Sequence, residues 1–141
     1  MNFLLDTNVL SEVRRPEPDP NVLSWLDRLD EDRAFVSVIS LAEIRRGIAM
    51  MASGRRRETL AQWLANDLPE RFAGRVLDID TATAVRWGDL MAYSKQAGLA
   101  LATMDGFLAA TALANGLTLA TRNTKDFARF GLSLINPWDL P

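Results

Sequence analysis

Carboxylates are the side chains of this sequence that are best able to do chemistry. The chain contains 18 Asp and Glu residues but no His and no Cys. A Ser–His–Asp triad, a thiolate nucleophile, a disulfide and a Cys/His zinc site are therefore all excluded. Proton transfer or metal binding by this chain must use carboxylates, its two lysines, hydroxyl groups or water.

Four carboxylates stand where an α/β fold places functional groups. Asp6 directly follows the apolar run 2–5, and Asp126 follows a later apolar run. Glu43 lies early in one predicted helix, and Asp105 begins another. Sites in open α/β sheets form beyond the carboxyl ends of the strands, so we expect these side chains to converge. Crowded like charges are costly unless a cation neutralises them, and Mg²⁺ or Mn²⁺ prefers such oxygen ligands.

Each of these acids also has a purely structural interpretation. Asp6 could cap a helix, and Asp126 could lie in a turn or cap a short helix. Ser40 and Glu43 have the spacing of a capping box, in which the Glu side chain reaches back to the cap amide. Asp105 could simply complement a helix dipole. The spacing leaves both interpretations open for each residue, and the functional one requires that all four meet.

The hydrophobic pattern predicts strands that alternate with helices. The predicted strands are 2–5, 34–38, 76–79, 117–121 and 133–135. The predicted helices are 7–14, 22–29 with Asn21 as N-cap, 40–51 opened by Ser40, 58–66, 82–97 and 105–115. This alternation favours an α/β sandwich around a mainly parallel sheet of four to five strands, flanked by helices. Since no linker or repeat divides the sequence, we expect a single domain over 1–141.

The overall charge is slightly acidic and by itself gives no indication of nucleic-acid binding. The formal net charge is −2 at pH 7. When the four candidate ligands are set aside, 14 acidic and 16 basic residues remain. The apparent acidity therefore belongs partly to the proposed site. No apolar run is long enough to cross a bilayer, and the N-terminus lacks the basic region of a signal peptide. We therefore expect a cytoplasmic protein without a membrane partner.

Four stretches of the sequence resemble PIN-domain proteins, in particular VapC-type toxins and their FitB-like relatives. They are FLLDTNVLSE at 3–12, SVISLAEIRRGI at 37–48, TMDGFLAATALANGLTLATRNTKDF at 103–127 and LINPWD at 134–139. The resemblance implies a PIN-like three-layer α/β fold and an Mg²⁺- or Mn²⁺-dependent endoribonuclease whose products carry a 5′-phosphate and a 3′-hydroxyl. It also implies the toxin of a type II toxin–antitoxin system, with a cognate antitoxin that carries a DNA-binding domain, and a homodimer or a toxin–antitoxin hetero-oligomer.

The resemblance also assigns roles to individual residues. Carried over by position, the catalytic and metal-binding acids are Asp6, Glu43, Asp105 and Asp126. The supporting polar residues would be Thr7, Asn8, Thr121 and Asn123, of which Asn123 competes with Asp126 for direct contact. A divalent cation would activate water for attack on the phosphodiester, so the absence of a histidine base fits this chemistry.

Three basic clusters are candidate RNA contacts or merely solvated faces. Arg45 and Arg46 are the better candidates, because they follow Glu43 on the same predicted helix. The other clusters are Arg14–Arg15 and the triplet 55–57. The triplet falls at a predicted helix N-terminus, where positive charge is unfavourable.

Two other enzyme or signalling classes also begin with an apolar strand that ends in Asp. A phosphotransferase of the haloacid-dehalogenase type needs a second acid two residues on, where this chain has Asn8, and a suitably placed lysine, for which only Lys95 and Lys125 exist. A receiver domain also needs a second acid near Asp6. The more serious alternative is a non-catalytic PIN-like scaffold that binds RNA or a protein, although the presence of all four acids argues against it.

Overall fold

Over residues 1–140, which the computed structural model describes, five short strands form one parallel sheet. The strands are β1 (Phe3–Leu5), β2 (Ala34–Ser37), β3 (Val76–Leu77), β4 (Thr118–Ala120) and β5 (Leu134–Ile135). Their order across the sheet is β3-β2-β1-β4-β5, and each neighbouring pair is parallel. The central strand is therefore β1, and the predicted parallel sheet is confirmed.

The central strand is buried on both of its faces. Successive side chains of a strand point to opposite faces of the sheet. Phe3 and Leu5 accordingly pack in one hydrophobic core with Val36 of β2, whereas Leu4 packs in a second core with Leu119 of β4. A strand that is covered on both sides is apolar throughout, as is usual in parallel sheets.

Eight α-helices within the described residues cover the two faces. Those before β3 are α1 (Thr7–Glu12), α2 (Pro20–Arg28), α3 (Val38–Ala49), α4 (Arg55–Gln62) and α5 (Leu68–Arg71), with a π-helical turn (Trp63–Asp67) between the last two. Those after β3 are α6 (Thr81–Gln96), α7 (Thr103–Asn115) and α8 (Thr124–Phe127). The first group mainly covers the core around Leu5 and the second group mainly covers the core around Leu4, so the predicted three-layer sandwich is confirmed. Nowhere in residues 1–140 is a helix both long and apolar enough to span a membrane.

Several helices begin earlier than the hydrophobic pattern predicts, and α7 begins at Thr103 rather than at Asp105. Asp19, rather than Asn21, caps α2, because its side chain accepts a hydrogen bond from Asn21 N at 2.8 Å. Pro20 takes the first helical position, where a missing N–H costs nothing. The helix that was predicted from residue 58 begins at Arg55.

The start of α3 also differs from the prediction. Ser37, rather than Ser40, is the N-cap, because its hydroxyl accepts a hydrogen bond from Ile39 N at 3.0 Å. Ser40 therefore lies inside the first turn of α3 and is fully buried. The Ser40–Glu43 capping box does not form, which leaves the Glu43 carboxylate available for another partner.

Candidate active site

The ends of three neighbouring strands bring the predicted site residues to one edge of the sheet. Asp6 directly follows β1, the helix that contains Glu43 directly follows β2, and Thr121 directly follows β4. Asp6 N donates a hydrogen bond to Ala120 O at 2.9 Å, which joins the chain just beyond β1 to the end of β4. Because all three strands are parallel, their carboxyl ends meet at the same edge, where α/β folds place their sites.

Asp6 is buried and held by two hydrogen bonds. Its Oδ1 accepts from Thr7 N at 2.6 Å, and its Oδ2 accepts from Thr121 Oγ1 at 2.7 Å. The first bond caps α1, so the interpretation of Asp6 as a helix cap is confirmed. Burial raises the pKa of Asp6, the two hydrogen bonds lower it, and the charge of Glu43 raises it further. Each carboxylate oxygen retains a lone pair that could bind a cation.

Thr7 connects the first turn of α1 to Glu43 and Ser40. Its Oγ1 lies 2.8 Å from Glu43 Oε1 and 2.9 Å from Ser40 Oγ. A threonine hydroxyl has one hydrogen and an ionised carboxylate has none, so Thr7 donates to Glu43 and accepts the hydrogen of Ser40. The Glu43 side chain is thereby directed towards α1 and Asp6.

Asp105 lies in the first turn of α7 and is half-buried. Burial raises its pKa from 3.8 to about 6, and the negative charges of Asp6, Glu43 and Asp126 raise it in the same direction. These three acids are therefore close enough to act on Asp105 electrostatically. Asp105 is thus within electrostatic range of the three other acids that the sequence singles out.

Asn8 and Asn123 contact Thr121, and Asp126 lies in the short helix α8 that follows it. Thr121 is fully buried, and its Oγ1 accepts from Asn123 N at 3.0 Å and lies 3.5 Å from Asn8 Nδ2. Asn8 Oδ1 also accepts from the backbone N–H after Thr121, at 3.4 Å. Asp126 and Asn123 are both exposed at the start of α8, so either side chain is free to reach a ligand.

The donor set of this site fits a hard divalent cation. Four carboxylates and several hydroxyl and amide oxygens are the ligands that Mg²⁺ and Mn²⁺ prefer. In the part of the chain that the structure describes, no three Asp or Glu side chains are close enough to form a ready-made metal-binding group. A bound dication would offset the repulsion that the other acids exert on Asp105.

The two candidate RNA contacts on α3 face different sides of the helix. Arg45 and Arg46 are both exposed. At 3.6 residues per turn, Arg46 lies on the same side of α3 as Glu43, whereas Arg45 lies almost opposite. Helical geometry therefore favours Arg46 as the arginine that is nearer to the acidic site.

The sequence alone did not identify two side chains that support the site. Ser40 was assigned to a helix cap, and only its burial against Thr7 shows its contribution. Trp87 of α6 donates from Nε1 to Thr103 O at 3.1 Å, in the turn that contains Asp105. Nothing in the sequence indicated a hydrogen bond from Trp87 to α7.

The fold is a parallel three-layer sandwich with acids at the carboxyl edge of its central strands. Comparison with known proteins assigns this fold to a family. The PIN domain family matches residues 3–132. The chain belongs to this family, which excludes the haloacid-dehalogenase and receiver interpretations.

Similar full-length proteins are found among characterised relatives. The plasmid stability protein StbB of Pseudomonas syringae pv. tomato is 47% identical over 97% of this chain and 99% of its own length. The VapC ribonuclease Y4jK of Sinorhizobium fredii is 42% identical over 97% of this chain and 98% of its own length. The toxin FitB of Neisseria gonorrhoeae is 39% identical over 96% and 98% of the two chains.

Solved structures show the same fold. The crystal structure of FitAcB from Neisseria gonorrhoeae contains a chain with a TM-score of 0.92 and 39% identity, over 98% of this chain and 99% of that one. A structure of FitAB bound to an IR36 DNA fragment gives a TM-score of 0.92 at 37% identity, over 99% and 97% of the two chains.

Proposed function

We propose that this chain is a metal-dependent endoribonuclease and the toxin of a type II toxin–antitoxin system. The observation that carries the proposal is the arrangement of Asp6, Glu43, Asp105 and Asp126 at one edge of the sheet, where hydrogen bonds of Thr7 and Thr121 hold two of the acids. Burial, and after it the charges of the other three acids, raises the pKa of Asp105. The relatives that are named a VapC ribonuclease and a toxin support RNA as the substrate and the toxin role.

The chain's own residues would hold a cation and orient the substrate. A bound Mg²⁺ or Mn²⁺ would supply activated water and offset charge on the scissile phosphate. Asp6 and Glu43 are already held by Thr121 and Thr7, so their oxygens are fixed relative to one another. Asp105 completes the acidic group, and either Asp126 or Asn123 provides the contact from α8.

The proposal includes a partner. In the solved structure of FitAB, a relative of this chain is assembled with a second protein on DNA. We infer that this chain likewise binds a cognate antitoxin with a DNA-binding domain, as a dimer or a larger toxin–antitoxin complex. An enzyme that cleaves cellular RNA would meet its substrate in the cytoplasm.

The test is cleavage of total cellular RNA with Mn²⁺ or with EDTA, by the wild-type chain and by Asp6→Asn. Asparagine is a good N-cap, so α1 should still form. We expect cleavage only with Mn²⁺, and a loss of about 100-fold or more in the variant, because outer-shell changes at metal sites alone cost 10–100-fold. Circular dichroism would check that the variant is folded.

The same assay distinguishes the non-catalytic scaffold. A scaffold would bind RNA without producing 5′-phosphate ends, and Asp6→Asn would bind as the wild type does. Equal cleavage by the two proteins, or cleavage that survives EDTA, would reject the assignment of Asp6 to a metal centre.

A further inference from the structure

Six arginines lie at one corner of the molecule, where the end of α1, the outer part of α3 and the start of α4 meet. We refer to them as the basic corner: Arg14, Arg15, Arg46, Arg55, Arg56 and Arg57. Arg56 donates a hydrogen bond to the backbone carbonyl of Arg14, which joins the start of α4 to the end of α1. The Arg14 guanidinium lies 5.6 Å from the ring centroid of Trp63, a cation–π contact that fixes its place.

The basic corner is a short distance from the acidic site. The Thr7–Glu43 contact joins the start of α1 to α3, and the Arg56–Arg14 contact lies beyond the end of α1. Seven residues separate Thr7 from Arg14, which corresponds to about 10 Å along a helix. Arg46 lies one turn beyond Glu43 on the same side of α3, the helix that contacts both α1 and α4. The arginines therefore form a path that leads away from the acids.

Most of this positive charge is not neutralised within the chain. Among residues 1–140, the ion pairs are Arg15–Glu12 at 3.3 Å and one elsewhere on the surface. The other arginines of the basic corner form no ion pair, and neither does the nearby exposed Glu58.

The start of α4 is an unfavourable place for three arginines. The helix dipole is positive there, so each cation costs stability rather than adding to it. The N-cap is Gly54, which offers no side-chain hydrogen bond to offset this. Apart from the hydrogen bond of Arg56 to the Arg14 carbonyl, folding does not explain the triplet, whereas a polyanionic ligand would.

We propose that the basic corner binds the phosphate backbone of the single-stranded RNA substrate and guides it towards the four acids. This inference rests on the proposed function. Guanidinium groups bind phosphates through paired hydrogen bonds, and contacts to the backbone are indifferent to base sequence. Without a bound cation the acidic site repels a polyanion, and a cationic surface beside it would help to hold RNA.

The test is binding of a fluorescein-labelled, unstructured RNA oligonucleotide by anisotropy over a range of salt concentrations. The parent protein is the full chain with Asp6→Asn, in EDTA, so that the RNA stays intact. The test variant adds Arg46→Gln, Arg55→Gln and Arg57→Gln. Arg56 is kept because its side chain donates a hydrogen bond to the Arg14 carbonyl. The matched control instead replaces three exposed arginines on other surfaces of the parent protein. Its added substitutions are Arg33→Gln, Arg86→Gln and Arg129→Gln.

The expected result is a change in both affinity and salt dependence. Each lost phosphate contact reduces the slope of log K against log salt by about 0.7 for a single strand, so three contacts reduce it by about 2. We expect roughly tenfold weaker binding for the test variant at physiological salt, and an unchanged slope for the control.

Three outcomes would overturn the proposal. The first is an equal slope of log K against log salt for the test variant and the control. The second is no RNA binding by the parent. The third is a test variant that keeps RNA binding but loses binding to a polyglutamate peptide. The last would assign the basic corner to an acidic protein segment instead. Failure of the proposed function is a separate result, because the wild-type chain would then not cleave RNA with Mn²⁺.

Discussion

Thr7 shows how one small residue can fix two acids of the site. Its backbone N–H holds Asp6, and its hydroxyl holds Glu43 while contacting Ser40. The two contacts of the hydroxyl group join Thr7 to residues that are more than thirty positions away in the sequence. Thr7 is therefore a direct hydrogen-bonded link between Asp6 and Glu43, and its hydroxyl makes the bond to Glu43.

Thr7→Val should remove this link without changing the size of the side chain. We expect a loss of about 1 kcal/mol in the free energy of unfolding, typical of one hydrogen bond. Cleavage should fall by about 10–100-fold, as for other residues that orient metal ligands. Urea unfolding and an RNA-cleavage assay with Mn²⁺ measure the two effects.

Thr7→Ser is the matched control, since it keeps the hydroxyl and loses only a methyl group. It should retain most of the cleavage activity. If the serine and valine variants lose activity equally, the hydroxyl does not position Glu43.

The raised pKa of Asp105 predicts how stability depends on pH. In the folded chain the pKa is about 6 rather than 3.8, so between these values the folded state binds more protons than the unfolded state. The contribution of Asp105 to stability is therefore greatest at low pH and is lost as the pH rises through about 6.

Asp105→Asn should remove this dependence. In EDTA, we expect the melting temperature of the variant to exceed that of the wild type at pH 7–8, and the two to approach each other near pH 4. The difference should be modest because Asp105 is only half-buried. Thermal unfolding followed by circular dichroism is the measurement. If the wild type were the more stable of the two proteins at pH 8, burial beside other acids would not be the cause of the raised pKa of Asp105.

At the scale of elements, the packing of α6 against α7 places Asp105. The Trp87 and Phe107 rings stack with centroids 4.7 Å apart and planes 8° from parallel. Gly106 lies beneath Trp87 and Met91, and a Cβ added there would be 2.7 Å from Met91 Sδ and 3.0 Å from Trp87 Nε1. The absence of a side chain at residue 106 lets the two helices approach at the residue next to Asp105.

Gly106→Ala should therefore force α6 and α7 apart. We expect a loss of about 1–3 kcal/mol in the free energy of unfolding, as for other overpacked cores. Cleavage should fall too, since Asp105 moves with the start of α7. Chemical unfolding and the cleavage assay give both values.

Gly88→Ala provides the control within α6. A Cβ at residue 88 would meet nothing within 4 Å. In a helix interior this substitution should stabilise the chain by about 0.5–1 kcal/mol. A Gly106→Ala protein that is as stable as Gly88→Ala would show that Met91 and Trp87 adjust without cost.

Helix caps show the limits of prediction at this scale. The local pattern around α3 contains two serines, Ser37 and Ser40, and either could cap a helix. Strand β2 runs as far as Ser37, so α3 starts immediately after it and Ser40 falls inside the helix. The position of a helix start is thus decided by the strand that precedes it, whereas the existence of the helix follows from the local sequence.

For the whole molecule, a metal bound to groups from several elements should stabilise the fold. A ligand that binds only the folded state adds about 2.7 kcal/mol at 100 times its dissociation constant. We expect Mn²⁺ to raise the melting temperature of the wild type above its value in EDTA, and to raise it much less in Glu43→Gln.

Asp27→Asn is the matched control for this measurement, because Asp27 is an exposed acid on α2, outside the site. Its melting temperature should rise with Mn²⁺ as the wild type's does. An equal loss of the effect in both variants would indicate non-specific binding of Mn²⁺ to surface acids.

The sequence by itself determined the chemistry that is open to this protein and the kind of fold that carries it. The absence of His and Cys leaves carboxylates as the functional groups. Apolar strands alternating with helices predict a parallel sheet, because hydrophobic periodicity is a local property. The motif around Asp6 further points to the family.

Only the tertiary structure decided which groups meet. The order of strands places β1 between β2 and β4, and so brings residues 6, 43 and 121 to one edge although they are far apart in the sequence. The contact of Thr7 with Glu43, the raised pKa of Asp105 and the meeting of Arg14 with Arg56 all arise from this long-range packing. Distances across a sheet depend on which strands pair, and local sequence patterns carry no record of that pairing.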